Sequence, residues 1–301
     1  MTSIDIEGLK TEIERVDDIP LLFGLMERMG IQAIADSAIK PHGNWQGLSP
    51  GWVITLWLVY ILSQQDHRME PLQSWTAKNL TLLQRLSGQA VRELDMADDR
   101  LALCLFFLHE SATWAAIERG LGRRTMRIYG LSVQRIRLDA TVGTVNHDPS
   151  KHSLFKVGKA KNGLYETQFK LMLASLDPLG LPLVCDVEPG NRADDPLYIP
   201  SYQRAKEMLE QEGVLVVGDS KMNALQTLAT MVAGCDHYLT PLGEKQEETA
   251  QMSELIAAWQ KGKGEETRVY LPEDIPSDGS APDPELAIAY GFERKRAVSY
   301  T

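Results

Sequence analysis

At 301 residues, 44% hydrophobic and 24% charged, the chain can bury a sizeable core, and its composition excludes a disordered or low-complexity protein. Cys104, Cys185 and Cys235 stand far apart among Leu, Val and Ala, which argues against a disulfide framework or metal-ligand spacing and predicts three reduced core residues. The net charge of −10 argues against an evenly basic nucleic-acid binder, yet Arg119 to Lys170 holds eleven Lys or Arg against three acids, a local +8 that leaves −18 elsewhere. Charge alone fits two readings of that segment equally: a phosphate-binding surface, or a solvated face without a ligand.

The opening text, MTSIDIEGLK, lacks a basic region followed by an apolar one, so the expectation is a cytoplasmic protein without a secretory signal. The longest apolar run, WVITLWLVYIL at 52–62, falls short of the roughly 20 residues that span a membrane. Apolar residues recur at helical spacing over 21–30, 49–65 and 98–120, which predicts an N-terminal all-helical domain over 1–130. Ser49 followed by Pro50 forms an N-cap and first-turn pair, Asp98 caps the last of these helices, and Gly88 and GLGRRT (120–125) mark breaks. His67 and Arg68 read as helix-end surface residues.

After Gly130 the period changes. QRIRLDATV is a short strand, HDPSKHSLFKVGKAKNG a polar basic loop, YETQFKLMLASLD (165–177) a long alternating strand, and LPLVCDVEP (181–189) its hairpin partner. A helix follows, then VLVVGDS (214–220) as an apolar strand covered on both faces, a helix over 223–235, and a strand over 237–242. The order βββαβαβ over 131–242 is that of an RNase H-like α/β core. From 243 to 301 the text turns acidic and polar with short strand-like pieces such as TRVYLP, the start of a β-rich insertion.

In that strand order the first strand is central and the fourth lies parallel beside it. Asp139, read at the end of a buried strand, and Asp219 then stand side by side. Neighbouring carboxylates repel, and a divalent cation with a preference for hard oxygen ligands, Mg²⁺ or Mn²⁺, relieves that repulsion. Two such ions can activate an attacking oxygen and stabilise a leaving one in phosphodiester chemistry. The competing reading is local: an Asp at a strand end caps a turn or the next helix. Thr141, on the same strand face, either orients Asp139 through its hydroxyl or is ordinary strand filler. Glu188 is a remote candidate for a further carboxylate.

LDAT, PGNRADD and VLVVGDSKMN followed by a helix and HYLTPL resemble the catalytic core of DDE-type insertion-sequence transposases, specifically those with an N-terminal helical domain and a β-strand insertion before the last catalytic helix. DDIPLLFGLMERMGI and HGNWQGLSPGWVITLWLVYILSQQDHRM extend the resemblance over nearly the whole chain. It implies Mg²⁺ or Mn²⁺ on Asp139 and Asp219, cleavage at transposon ends, and strand transfer into target DNA. It also implies double-stranded DNA as partner, protomers paired on that DNA, and backbone contacts from Arg119, Arg123, Arg124, Arg127, Lys151, Lys156, Lys159 and Lys161. The family's third acid, a Glu in a Tyr-x2-Arg-x3-Glu-x6-Lys pattern, has no match. Three residues after Tyr290 stands Glu293 instead of Arg, so the resemblance implies a chain cut short before that Glu and weak or inactive alone. Two alternatives stay open: a non-catalytic DNA-binding regulator of transposition, and a haloacid-dehalogenase-like phosphatase. The phosphatase family wants a second Asp where Thr141 stands.

Overall fold

A computed structural model describes residues 16–160, 163–241, 247–263, 266–270 and 274–291. Two compact units emerge. The first takes the stretch up to Val133 together with Ala174–Cys185 and Gln203–Gln211, and the second takes Gln134–Leu173, Asp186–Tyr202 and the stretch from Glu212 onward.

The helices of the first unit are α1 (Ile19–Met29), α2 (Ile31–Ala38), α3 (Pro50–Gln64), α4 (Leu72–Lys78), α5 (Leu80–Ser87), α6 (Asp98–His109) and α7 (Ser111–Tyr129). The apolar run at 52–62 lies in α3, whose residues Val53, Ile54, Leu56, Trp57, Val59 and Tyr60 are all buried; a helix apolar on every side is a core helix. Its N-terminus is tied down twice. Ser49 Oγ accepts from Trp52 N at 3.4 Å and donates to Asp36 at 2.6 Å, while Gly51 N donates to the other Asp36 oxygen at 2.6 Å. Gly51 is required there, because a Cβ would sit 2.3 Å from the Gln32 carbonyl.

The single helix expected over 98–120 is two. The chain breaks at Glu110, in extended backbone, and α7 then runs through the glycines expected to end it. Those glycines serve packing: a Cβ on Gly120 would meet Ile34 at 2.7 Å, and one on Gly122 would meet Met208 at 2.0 Å. The α6 N-cap is Ala97 rather than Asp98, which instead lies in the first turn beside Asp99. Among the described residues no single helix is long and apolar enough to cross a membrane.

The second unit is built on a mixed α/β pattern. The sheet strands are β1 (Arg135–Thr144), β2 (Lys156–Lys159), β3 (Tyr165–Leu176), β4 (Leu181–Pro189), β5 (Leu215–Gly218) and β6 (His237–Leu239), of which Ala174–Leu176 and Leu181–Cys185 belong to the first unit. The sheet order is β2-β3-β1-β5-β6, with β4 also paired to β3. β1 therefore is central, with β5 parallel beside it and β6 parallel to β5. β2 is a strand where only a loop was expected; it pairs antiparallel with the start of β3. Gly158 lets it close in, since a Cβ would fall 2.2 Å from the Gln168 amide. In β5 Val216 is buried and Leu215, Val217 and Gly218 are half-buried, so the expected cover on both faces is partial. Buried Ile136, Leu138, Met172, Val216, Tyr198 and Tyr202 form the core around the sheet, the last two from α8 (Asp195–Leu209).

Helix α9 (Leu225–Ala233) links β5 to β6. Beyond it, the stretch expected to open a β-rich insertion begins with helix α10 (Glu247–Gln260), whose Met252, Leu255, Ile256 and Trp259 recur at helical spacing. The antiparallel pair β7 (Thr267–Val269) and β8 (Ala289–Gly291) follows. Glu293 lies outside the described residues.

Candidate functional site

The parallel register pairs Arg135 with Leu215 and ends with Leu138 opposite Gly218. One residue beyond this last pair on each strand come Asp139 and Asp219, where β5 stops pairing. Asp139 is not at a strand end, because β1 continues to Thr144, and it is not buried. Alternation explains the exposure: Ile136 and Leu138 point into the core, and the intervening Arg137 and Asp139 point out. Asp219 is exposed as well. The desolvation penalty that a buried carboxylate would need to offset therefore does not arise at either residue.

Asp219 is held on three sides. Its Oδ1 accepts from the Tyr198 hydroxyl at 2.7 Å and from Lys221 N at 2.9 Å, and its backbone carbonyl accepts from Thr240 Oγ1 at 2.7 Å. It also caps the short 3-10 turn Ser220–Asn223, so the capping reading holds for this residue. Its Oδ2 and the carboxylate of Asp139 make no hydrogen bond or ion pair with the described residues. Thr141 makes no hydrogen bond to Asp139.

Tyr198 itself is buried, and its phenol is pushed above the ordinary range by burial first, then by the hydrogen bond and charge of Asp219 and by the charges of Asp139 and Asp194. A phenol in that state stays protonated and donates to Asp219 at any physiological pH. Sequence reasoning missed Tyr198. Its signal was the start of α8 directly after PGNRADD, which aims the first turn of a helix at the strand ends.

Asp194, the third acid near Tyr198, is committed elsewhere: it forms an ion pair with Lys170. Lys170 lies on the buried face of β3 and also donates to the Arg192 carbonyl at 2.5 Å. A lysine in phase with Gln168, Met172, Ala174 and Leu176 on an inward face requires such a partner, and that phase was legible in the sequence. Lys170, Asp194, Arg192, Gln168 and Ala140 line a cleft of about 420 Å³. Ala140 alternates with Asp139, so this cleft opens on the opposite face of β1. Glu188 on β4 is paired with Arg192.

Among the described residues no three His, Cys, Asp or Glu side chains gather closely enough to hold a metal ion by themselves. The donor chemistry of the pair suits Mg²⁺ or Mn²⁺ all the same, since Mg²⁺ commonly takes one or two carboxylates and completes its shell with water and substrate phosphate.

The expected DNA contacts fall in both units. On α7, Arg119 pairs with Glu207 at 3.7 Å, Arg123 with Glu210, and Arg124 donates to the Arg28 carbonyl at 3.1 Å, while Arg127 is exposed. In the second unit Lys151 lies 3.8 Å from Asp148, Lys156 donates to the Pro149 carbonyl at 3.2 Å, and Lys159 is exposed. Lys161 lies outside the described residues. Of the cysteines, Cys104 is buried and Cys185 half-buried, but Cys235 is exposed in a left-handed turn after α9 and is not a core residue.

Two solved structures are similar to the chain. One is a piggyBac transposase synaptic complex with hairpin DNA, at 11% identity and TM-score 0.37 over 78% of this chain and 53% of that one. The other is a Mos1 transposase paired-end complex with the left transposon end, at 10% identity and TM-score 0.25 over 86% of this chain and 83% of that one. The chain thus spans about half the length of the piggyBac transposase. No protein-family model and no curated protein matches it.

Proposed function

We propose that this chain is a DNA transposase of the DDE insertion-sequence kind, with an RNase H-like core in its second unit. In this reading Asp139 and Asp219 hold Mg²⁺ or Mn²⁺ at a phosphodiester. The observation that supports it most is the β1/β5 register, which carries two solvent-open aspartates to adjacent positions at the end of a parallel strand pair. When bound, the metal supplies charge neutralisation and activation of the attacking oxygen. Tyr198 keeps Asp219 in one rotamer by its hydrogen bond, and Thr240 fixes the backbone that carries it. Lys151, Lys156 and Lys159 lie on the same unit and supply sequence-blind, salt-sensitive contacts to duplex DNA. Only two carboxylates are assigned, so the chain binds metal and DNA but cleaves weakly by itself.

A second reading, a DNA-binding regulator without cleavage, draws support from the lack of a three-carboxylate cluster among the described residues. Mn²⁺ titration by calorimetry, with and without transposon-end duplex, separates the two. Binding to the wild type that is lost in both Asp139→Asn and Asp219→Asn supports the metal site. Equal heats from all three proteins, together with an unchanged DNA mobility shift, overturn it in favour of the regulator.

A further inference from the structure

Two features of the chain are unused by the reading above, and they match each other. In the first unit a groove of about 570 Å³ is floored by Phe23 and Trp52, stacked with ring centres 6.0 Å apart, and edged by Arg123, Arg124 and Arg127 against one acid, Glu27. In the second unit α10, EETAQMSELIAAWQ, carries three Glu and no Lys, Arg or His. Its apolar stripe Met252, Leu255, Ile256 and Trp259 is spaced i, i+3, i+4, i+7, yet Ile256 is 42% and Trp259 48% exposed. The Trp259 indole N–H donates to Glu266 at 3.0 Å.

We infer that α10 of one copy docks into the arginine-edged groove of a second copy of this chain, and the reverse, giving a reciprocal helix-in-groove dimer. The charge signs are complementary: Arg123 is already paired with Glu210, and Arg124 and Arg127 keep the rim basic against an acidic helix. Ile256 and Trp259 are exposed, whereas Met252 and Leu255 of the same stripe are half-buried. The apolar floor favours side chains over phosphate oxygens as the occupant, although the rim has the charge that DNA also seeks. The inference is independent of metal binding or cleavage.

Sedimentation of the full chain over a concentration series, at low and high salt, tests it. A dimer weakened by salt is expected, with its dissociation constant raised about tenfold or more by Ile256→Asp and by Arg127→Glu, both at exposed positions. Mixing the two variants is expected to recover part of the association, because one intact helix then meets one intact groove. A monomer at every concentration overturns the inference. So does association lost with I256D and unaffected by R127E, which would mean that the stripe pairs with itself. So does R127E that lowers duplex-DNA affinity and leaves association unchanged, which would make the groove a DNA surface.

Discussion

Replacing Tyr198 by Phe tests the account of the site through stability as well as function. The ring, 1% exposed, stays packed, and the change removes only the hydroxyl that donates to Asp219 at 2.7 Å. A hydrogen bond to a charged group contributes about 1.5–3 kcal/mol net. Asp219 is exposed and keeps the Lys221 N–H, so water refills the lost position and the cost falls at the low end, about 1.5 kcal/mol at pH 7. The pH dependence has a definite sign. Burial, then Asp219, with smaller contributions from Asp139 and Asp194, raises the folded phenol pKa above its ordinary value. A group raised on folding contributes stability that is complete below its unfolded pKa, about 10, and is lost as pH climbs through the folded value. The stability gap between wild type and Tyr198→Phe is therefore constant near neutrality and narrows above about pH 10. Urea unfolding followed by tryptophan fluorescence measures both, with the m-value checked for constancy. A cost under about 0.5 kcal/mol at pH 7, or a gap that widens with pH, would refute the reasoning.

In the first unit, Asp95 is fully buried and accepts from Arg92 N at 3.0 Å, the Arg92 guanidinium at 2.8 Å and Leu48 N at 3.4 Å. Asp95→Ala strands those donors and is expected to cost about 2–4 kcal/mol by denaturant unfolding. Burial pushes the Asp95 carboxyl up, but Arg92 and the Leu48 N–H outweigh it and hold the pKa below the ordinary value. The contribution is thus present above about pH 4 and fades as pH falls through the folded pKa, so wild type and variant converge in acid. Gly190→Ala would place a Cβ 2.0 Å from the Gln168 carbonyl, and a loss of about 1–3 kcal/mol is expected. Gly291→Ala, with open space around the added Cβ, should stay within about 0.5 kcal/mol by the same denaturant unfolding. Burial pushes the Cys104 thiol up to about 12, so iodoacetamide should label exposed Cys235 first and Cys104 only on unfolding. Equal native labelling rates would contradict that assignment.

Local pattern carried much of this fold. The apolar run in α3 and its Ser49-Pro50 start, the alternation along β3, and the turn after α5 at Gly88 are consequences of side-chain period, capping and backbone freedom, which neighbouring residues settle among themselves. The face of β1 that turns to the core was legible too, because Ile136 and Leu138 alternate with the exposed Arg137 and Asp139. Contacts distant in sequence decided the rest. Gly120 and Gly122 look like helix breakers until Ile34 and Met208 fill the space a side chain would need. β2 forms because the β3 edge supplies its hydrogen bonds, and no propensity of KVGK announces it. Tyr198 reaches Asp219, and Lys170 reaches Asp194, only once helix and sheet are packed. Sequence alone therefore determined which residues alternate and carry charge, and the Ser49 cap of α3. The tertiary structure decided which charges are neutralised and which carboxylates stay open, because Coulomb and hydrogen-bond energies depend on distances that only the folded chain sets.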